Sequence, residues 1–341
     1  MTDVRYNPLL HRTAQLTVAA TLLLIFMGGL VTSHHAGMSV PDWPNSYGYN
    51  MFTFPVSRWV GGIFYEHTHR LMGTVVGMLS IVLTMVAWNR ERRPWVRWLA
   101  ASVLGAVIFQ GVLGGLRVVL VKLDLAIVHA CVAQAFLCLA ALTAVVTSRW
   151  WIQTSTEDQQ ANRSFVIVSL VCTLVIYAQL VVGATMRHYE AGLAIPDFPT
   201  SYGQVLPPTD AASLAGANEQ RIEMQLPPVT LSQIWLNAGH RIGALMVTGL
   251  VLATVVMGLR RNQDGAIRRP AVCLIGLLIA QITLGILTVL WRKPADIASL
   301  HVAVGALTLM TAFVLLARSI RLHRAAAPIH AEQLHGDLVP A

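Results

Sequence analysis

Charged residues are scarce in this sequence. Asp, Glu, Lys and Arg make up 12% of its 341 residues, roughly half the share found in ordinary soluble domains. Hydrophobic residues make up 55%, and the mean hydropathy is +0.60. The formal charge of +8 is spread over short intervals between apolar runs, as in proteins whose Lys and Arg orient them in a membrane. This composition excludes a water-soluble globular enzyme, a disordered chain and a basic domain that binds nucleic acid.

Cysteine is scarce as well, and the four that occur all lie inside apolar runs. They are Cys131, Cys138, Cys172 and Cys273. None belongs to a C-x-x-C motif, so the sequence indicates neither a disulfide framework nor a zinc site.

Long apolar runs dominate the chain. A helix needs about 20 apolar residues to cross a bilayer, and eight runs qualify: 14–34, 64–88, 96–119, 124–147, 164–186, 232–258, 269–291 and 296–318. Their length is that of helices rather than of barrel strands. The sequence therefore predicts an all-α integral membrane protein with eight transmembrane helices.

The basic residues predict how these helices are oriented. Most of the 24 Lys and Arg residues lie near the N-terminus, near the C-terminus or in the loops that follow even-numbered spans. By the positive-inside rule both termini are cytoplasmic. The long loops at 35–63 and 187–231 then face outward, and their Pro, Asp and aromatic residues suit ordered caps.

The chain contains an internal duplication. Residues 37–48 read GMSVPDWPNSYG, and residues 192–203 read GLAIPDFPTSYG. Further matched positions are Gly28 with Gly183, His69-Arg70 with His240-Arg241, Gln110 with Gln281 and, within one residue, His129 with His301. Because each half has an even number of spans, both insert in the same orientation. We predict two pseudo-symmetric parallel four-helix bundles (1–150 and 151–325) and a cytoplasmic tail (326–341), not inverted repeats.

Four of the 12 histidines are both intramembrane and matched between the halves: His69, His129, His240 and His301. Two imidazoles at one depth in a four-helix bundle favour a haem iron with two histidine ligands. Any one of them alone is better explained as a hydrogen-bonding group between helices, and zinc usually takes more ligands. Nearby small residues leave room for a macrocycle or simply allow close helix packing: Gly73, Gly77, Gly239, Gly243 and Gly305.

Arg70 and Arg241 directly follow two of these histidines, at the outer membrane level. Two interpretations are open. They bind haem propionates through bidentate contacts, or they extend to lipid headgroups from the ends of their helices.

The two halves differ at one charged position. Glu66 precedes His69 by one helical turn, whereas Asn237 precedes His240. The presence of a carboxylate in just one half predicts proton transfer or stabilisation of a cationic intermediate there. The alternative is that Glu66 is merely solvated or bonded to His67. A di-iron site needs more carboxylates. His34 and His35 have no matched partners, so their role stays open.

Taken together, these residues resemble the haem A synthase family. The resemblance rests on Glu66 to Arg70 (EHTHR), Asn237 to Arg241 (NAGHR), His129, His301 and the Pro-Asp-Trp/Phe-Pro loops, and it covers about residues 14–318. It implies oxidation of the C8 methyl of haem O to a formyl group through a hydroxymethyl stage, in cytochrome oxidase biogenesis. It further implies that His69 and His129 ligate the substrate haem, that His240 and His301 ligate haem b, and that Glu66 is catalytic.

The resemblance also sets expectations about location and partners. It implies a multi-pass protein of the cell inner (plasma) membrane, surrounded by lipid, with its haem sites toward the outer face. Its expected partners are haem O, an electron donor and the farnesyltransferase that makes haem O, and no nucleic acid. Some bacterial members have a cysteine pair in the first outer loop, but residues 31–63 contain none, so the chain resembles the cysteine-free branch.

Two other functions remain open from the residues. One is a membrane electron-transfer cytochrome with two haems b, and the other is a haem carrier or assembly protein. Neither would alter the macrocycle, so the identity of the bound haems separates them from a haem-oxidising enzyme.

Overall fold

The computed structural model describes residues 5–154, 162–261 and 265–325. These residues form ten α-helices: α1 Pro8–Ser33, α2 Gly62–Arg90, α3 Pro94–Val119, α4 Leu123–Val146, α5 Arg149–Gln153, α6 Arg163–His188, α7 Ala211–Glu223, α8 Leu231–Arg261, α9 Gly265–Leu290 and α10 Ala295–Ala325. The predicted tail at 326–341 lies outside the described residues.

The predicted fold class is confirmed. Eight of the helices in the described ranges are long and apolar enough to cross a membrane, namely α1 to α4, α6 and α8 to α10. The chain is therefore a multi-pass membrane protein. α1 begins at Pro8, earlier than predicted, because Asn7 caps it: its side-chain oxygen accepts hydrogen bonds from the N–H groups of Leu9 and Leu10 at 3.1 and 3.2 Å.

The helix contacts form two closed rings. α1 packs on α2, α2 on α3, α3 on α4 and α4 on α1, while α6, α8, α9 and α10 close a second ring in the same way. Each ring has its own buried core, centred on Leu83 and Phe136 in the first half and on Phe165 and Leu315 in the second. These contacts agree with the predicted pair of four-helix bundles. The predicted boundary at residue 150 falls inside the short helix α5.

The two halves meet along a seam where α1 packs against α10 and α4 packs against α6 and α10. A glycine is needed at this seam, because a Cβ on Gly29 would lie 3.0 Å from the Cβ of Ser299. The hydroxyls of Ser33 and Ser299 are 3.1 Å apart. Arg187 of the second half donates to the carbonyl of Gly29 and to the hydroxyl of Ser33. Polar and close apolar contacts thus join the halves near the C-terminal ends of α1 and α6.

The matched loop segments form the same turn in both halves, which we call the first outer turn (42–49) and the second outer turn (197–204). In the first, the carboxylate of Asp42 accepts hydrogen bonds from the N–H groups of Tyr47 and Gly48 at 2.7 and 2.8 Å. Burial opposes ionisation of Asp42, but the N–H groups of Gly48 and Tyr47 and the charge of Arg70 outweigh it and lower its pKa.

The second outer turn repeats this arrangement. Asp197 accepts from the N–H groups of Tyr202 and Gly203 at 2.8 and 2.9 Å. Burial again opposes ionisation, and the hydrogen bonds from Gly203, Thr200 and Tyr202 outweigh it, so the pKa of Asp197 is also lowered. The two turns are therefore held by ionised aspartates, which explains why the Pro-Asp-x-Pro pattern recurs.

Candidate functional site

Each of the four matched histidines packs against a glycine of a neighbouring helix. A Cβ added to any of these glycines would lie 3.0–3.1 Å from the Cε1 atom of the ring, closer than an ordinary van der Waals contact. The pairs are His69 with Gly28, His129 with Gly114, His240 with Gly183 and His301 with Gly285. The absence of a side chain at these glycines therefore determines where each imidazole lies.

The Nδ1 side of the rings faces the neighbouring helix. Nδ1 is nearer than Nε2 to the glycine Cβ position in all four pairs. Backbone carbonyls of Leu24, Gln110 and Gln281 face His69, His129 and His301 respectively. None of these three Nδ1 atoms completes a full hydrogen bond. In His69 and His129 this arrangement leaves Nε2 as the nitrogen that is available to a metal.

Glutamine side chains support three of the four histidines. Gln110 donates to the backbone carbonyl of His129 at 2.9 Å, and Gln179 donates to that of His240 at 2.7 Å. Gln179 Nε2 also lies 3.1 Å from His240 Nδ1, and Gln281 Nε2 lies 3.4 Å from His301 Nε2.

The separation of the second pair fits a bis-histidine haem. The ring centroids of His240 and His301 are 6.5 Å apart. Two metal–nitrogen bonds of about 2 Å, and roughly 1 Å from each nitrogen to its ring centroid, give about 6 Å. In the first half, His129 lies within electrostatic range of His69. Both pairs therefore provide the donors that a haem iron takes.

Other metal chemistry finds less support in the part of the chain that the structure describes. No group of three or more His, Cys, Asp or Glu side chains there is placed to hold a metal ion. Three of the four cysteines are at least partly buried, two of them in α4 and one in α6, and all four are free thiols.

Glu66 and Arg70 attach the first outer turn to α2. Glu66 is 2% exposed, and its carboxylate accepts hydrogen bonds from the Val40 N–H at 2.8 Å and from Arg70 at 2.7 Å. Arg70 also donates to the carbonyls of Val40, Asp42 and Asn45 at 2.6, 2.6 and 3.1 Å. These bonds occupy the terminal N–H groups of the guanidinium.

Asn237 and Arg241 attach the second outer turn in the same way. The amide of Asn237 donates to the carbonyls of Ala191 and Gly192, and its oxygen accepts from Arg241 at 3.0 Å. Arg241 also donates to three backbone carbonyls, those of Ile195, Asp197 and Thr200. The Glu/Asn difference therefore changes the charge at a shared anchoring position, and both arginines bind loop backbone.

The predicted small residues serve different purposes. A Cβ on Gly73, Gly77 or Gly239 would meet open space. A Cβ on Gly243 would collide with the side chain of Gln179, and one on Gly305 would lie 2.9 Å from Leu180. The first group leaves room beside the histidines, whereas the second group permits close helix packing.

Three further histidines, which lie near the same ends of the helices, are outside the two pairs. His67 is fully buried between Phe54 and Trp59, with its Nδ1 3.2 Å from the Ser46 hydroxyl. His34 stacks on Tyr65 with ring centroids 3.9 Å apart. His35 lies 3.9 Å from the carboxylate of Glu190, across the seam.

Sequence reasoning missed the partners of the histidines. The sequence identified Gly28 and Gly183 only as matched positions and did not single out Gly114, Gly285 or Gln179. A signal was present, because Gly114 and Gly285 match in the same register as Gln110 and Gln281.

Comparison with known proteins identifies the family. The family model of the cytochrome oxidase assembly proteins (COX15-CtaA) matches residues 11–314. The chain belongs to the COX15-CtaA family. The predicted resemblance is thereby confirmed over most of the chain's length.

Several relatives of this chain are named heme A synthase. The one from Shewanella oneidensis is 25% identical over 322 residues, covering 87% of this chain and 92% of its own. The one from Neorickettsia sennetsu is 25% identical over 308 residues, covering 82% and 90%. The one from Shouchella clausii is 30% identical over 207 residues, covering 58% and 65%.

Proposed function

We propose that this chain is a haem A synthase, an oxidoreductase that converts the C8 methyl of haem O to a formyl group through a hydroxymethyl stage. The observation that carries the proposal is the pair of matched bis-histidine sites, each packed on glycines, in a chain of the COX15-CtaA family. Relatives that bear the name of this activity align over most of the chain.

The two sites have different roles in this proposal. His69 and His129 ligate the iron of haem O, the substrate, and His240 and His301 ligate a resident haem b. Haem b supplies one-electron transfer when bound. The protein holds the four imidazoles through their glycine contacts, and the outer turns cover both sites. The distribution of charge supports this assignment, because the carboxylate stands only in the first half.

Glu66 is the proposed catalytic carboxylate. It is one helical turn from His69, and Arg70 and the Val40 N–H hold it in place and stabilise its negative charge. Oxidising a methyl group on a conjugated ring withdraws electrons and releases protons. A fixed anion beside the ring edge favours both events.

An apolar cavity below His69 supports substrate binding in the first half. It has a volume of about 330 Å³ and is lined by Gly73, Gly77 and Ile81 of α2 and by Leu104, Val107 and Ile108 of α3. Gly73 lies one helical turn from His69, and Gly77 and Ile81 continue along α2 at four-residue steps. We propose that this cavity takes the farnesyl chain of haem O. In the second half, Ala244 and Thr248 stand where the two glycines would be.

The location, orientation and partners of the protein follow from the same proposal. We place it in the cell inner membrane with both termini in the cytoplasm and the histidine pairs toward the outer face. Most of the Lys and Arg residues lie near the termini and in the loops at the opposite ends of the helices, which supports this orientation. A farnesyltransferase that supplies haem O and an electron donor are the proposed protein partners. Arg70 and Arg241 donate to loop carbonyls, so binding of propionates by these two arginines would require them to release those carbonyls.

Separating the haems extracted from the purified protein tests the function. Haem O or haem A together with haem b is the expected result. Haem b alone, at two per chain, would instead identify an electron-transfer cytochrome. Only weakly held haem, exchanged without conversion, would identify a carrier or assembly protein.

A further inference from the structure

A basic cavity lies at the seam between the two halves, at the outer ends of the helices. Its volume is about 310 Å³. We call it the seam cavity. Its charged and titratable lining includes Arg117, Lys122, Arg187, His188 and Lys293, against the single carboxylate of Glu190. Lys122 and Lys293 are matched positions of the duplication.

The two arginines of the seam cavity retain hydrogen-bond donors. Arg117 donates one hydrogen bond, to the carbonyl of Gly37 at 3.1 Å. Arg187 uses only its Nη2 group, on Gly29 and Ser33. A guanidinium has five N–H donors, so both keep donors for a ligand in the cavity. In Arg70, by contrast, the terminal N–H groups donate to loop carbonyls and to the carboxylate of Glu66.

The cavity also has little negative charge. Burial and the neighbouring charge of Arg187 lower the pKa of Lys293, and Glu190 offsets them only in part. Glu190 is itself shared with His35. Clustered cations that are partly removed from water are costly without an anion. The lining therefore suits an oxyanion.

The two arginines lie directly outward of the histidine pairs. Arg117 is one turn beyond Gly114, which contacts His129, and Arg187 is one turn beyond Gly183, which contacts His240. Arg117 is within electrostatic range of both His69 and His129. Arg187 is within range of His301.

We propose that the seam cavity binds the propionate carboxylates of both haems, with Arg117 serving the first site and Arg187 the second. This inference rests on the proposed binding of haem by the two histidine pairs. A phospholipid phosphate is the other source of an oxyanion at this depth, and the experiment separates the two.

The test compares protohaem with its dimethyl ester, which has the same ring and iron but no carboxylates. Each is titrated into the haem-depleted full chain in phosphatidylcholine nanodiscs and followed by absorbance. We expect the parental chain to prefer protohaem, and Arg117→Gln and Arg187→Gln each to reduce that preference roughly tenfold. Arg187→Lys should restore part of it. Arg58→Gln removes an exposed arginine of the outer loop and should change nothing.

A redox titration gives a second readout. A positive charge beside a haem carboxylate favours the reduced form, so Arg187→Gln should lower the midpoint potential of the second-site haem, and Arg58→Gln should leave it unchanged.

Three outcomes would overturn the inference. If the arginine variants keep the parental preference for protohaem, the propionates lie elsewhere. The ligand is a lipid phosphate if phosphatidylglycerol added to the nanodiscs is retained by the parental chain and lost by the variants. In that case its presence should not change the comparison of protohaem with its dimethyl ester. If the parental chain binds neither porphyrin, the histidine-pair proposal fails as well, which distinguishes that failure from the first two.

Discussion

Glu66 occupies the same anchoring position as Asn237 but adds a negative charge beside the first histidine pair. We expect Glu66→Gln to retain haem while losing most conversion of haem O to haem A, because the histidines and the apolar walls remain. The hydroxymethyl intermediate should accumulate. Haem analysis of cells that carry the variant measures this.

The control for Glu66→Gln is Asn237→Ala, which disturbs the matching anchor in the other half and should leave conversion competent. If Glu66→Gln makes haem A at the parental rate, Glu66 only attaches the outer turn to α2.

His240 and His301 are expected to hold haem b together. Replacing either with Ala removes one of two axial nitrogens, so the low-spin b-type spectrum of the purified protein should be lost or converted. His34→Ala is a suitable control, because His34 is exposed and stacks on Tyr65. Unchanged b-type absorbance in both His240→Ala and His301→Ala would contradict the assignment.

At the scale of helix pairs, the glycine contacts of the histidines set how closely neighbouring helices approach. Gly183→Ala or Gly285→Ala introduces a Cβ about 3 Å from the ring and must displace it, at a cost of about 1–3 kcal/mol for overpacking. We expect weaker haem retention and a shifted spectrum. Gly276→Ala, in the same helix as Gly285 but facing open space, should have neither effect. Equal haem retention in all three variants would show that the rings need no glycine.

The cavity between α2 and α3 gives a test of substrate choice. Gly77→Leu fills it, so binding of haem O should weaken while binding of protohaem, which has no farnesyl chain, stays near the parental value. Titration of both haems into the purified protein measures the difference. Gly249→Leu, also facing open space, is the matched control. If Gly77→Leu weakens both haems equally, the farnesyl chain lies elsewhere.

At the scale of the whole molecule, the proposed orientation places both outer turns on the outer side of the membrane. Single cysteines at the exposed positions Asn45 and Gln204, in a chain without its four native cysteines, should react with an impermeant thiol reagent on intact cells. A cysteine at the exposed position Arg92, in the loop between α2 and α3, should react only after the membrane is breached. The reverse pattern would overturn the topology.

Much of the fold was predictable because it depends on local properties of the chain. A run of about 20 apolar residues must become a helix in lipid, since its backbone groups find no other partners. The duplication then placed four histidines in matched spans, and the structure sets each against a glycine. The ends of the helices were less predictable: α1 begins early because of a cap by Asn7.

The partners of the site residues were not predictable, because they come from distant parts of the chain. The sequence showed that Glu66 lies one turn from His69, but not that its carboxylate bonds to the Val40 N–H. The sequence suggested that Arg70 and Arg241 bind haem propionates. In the structure both arginines donate hydrogen bonds to backbone carbonyls of the outer turns.

What the sequence by itself determined is therefore the number of membrane helices, their repetition and the residues that could hold two haems, since hydrophobic length and register need no knowledge of neighbours. Only the tertiary structure decided which glycine each imidazole contacts and which arginines keep free donors. Arg117 and Arg187 lie far apart in the chain and belong to different halves. They line one cavity because the packing of the two bundles brings the outer ends of α3 and α6 together at the seam.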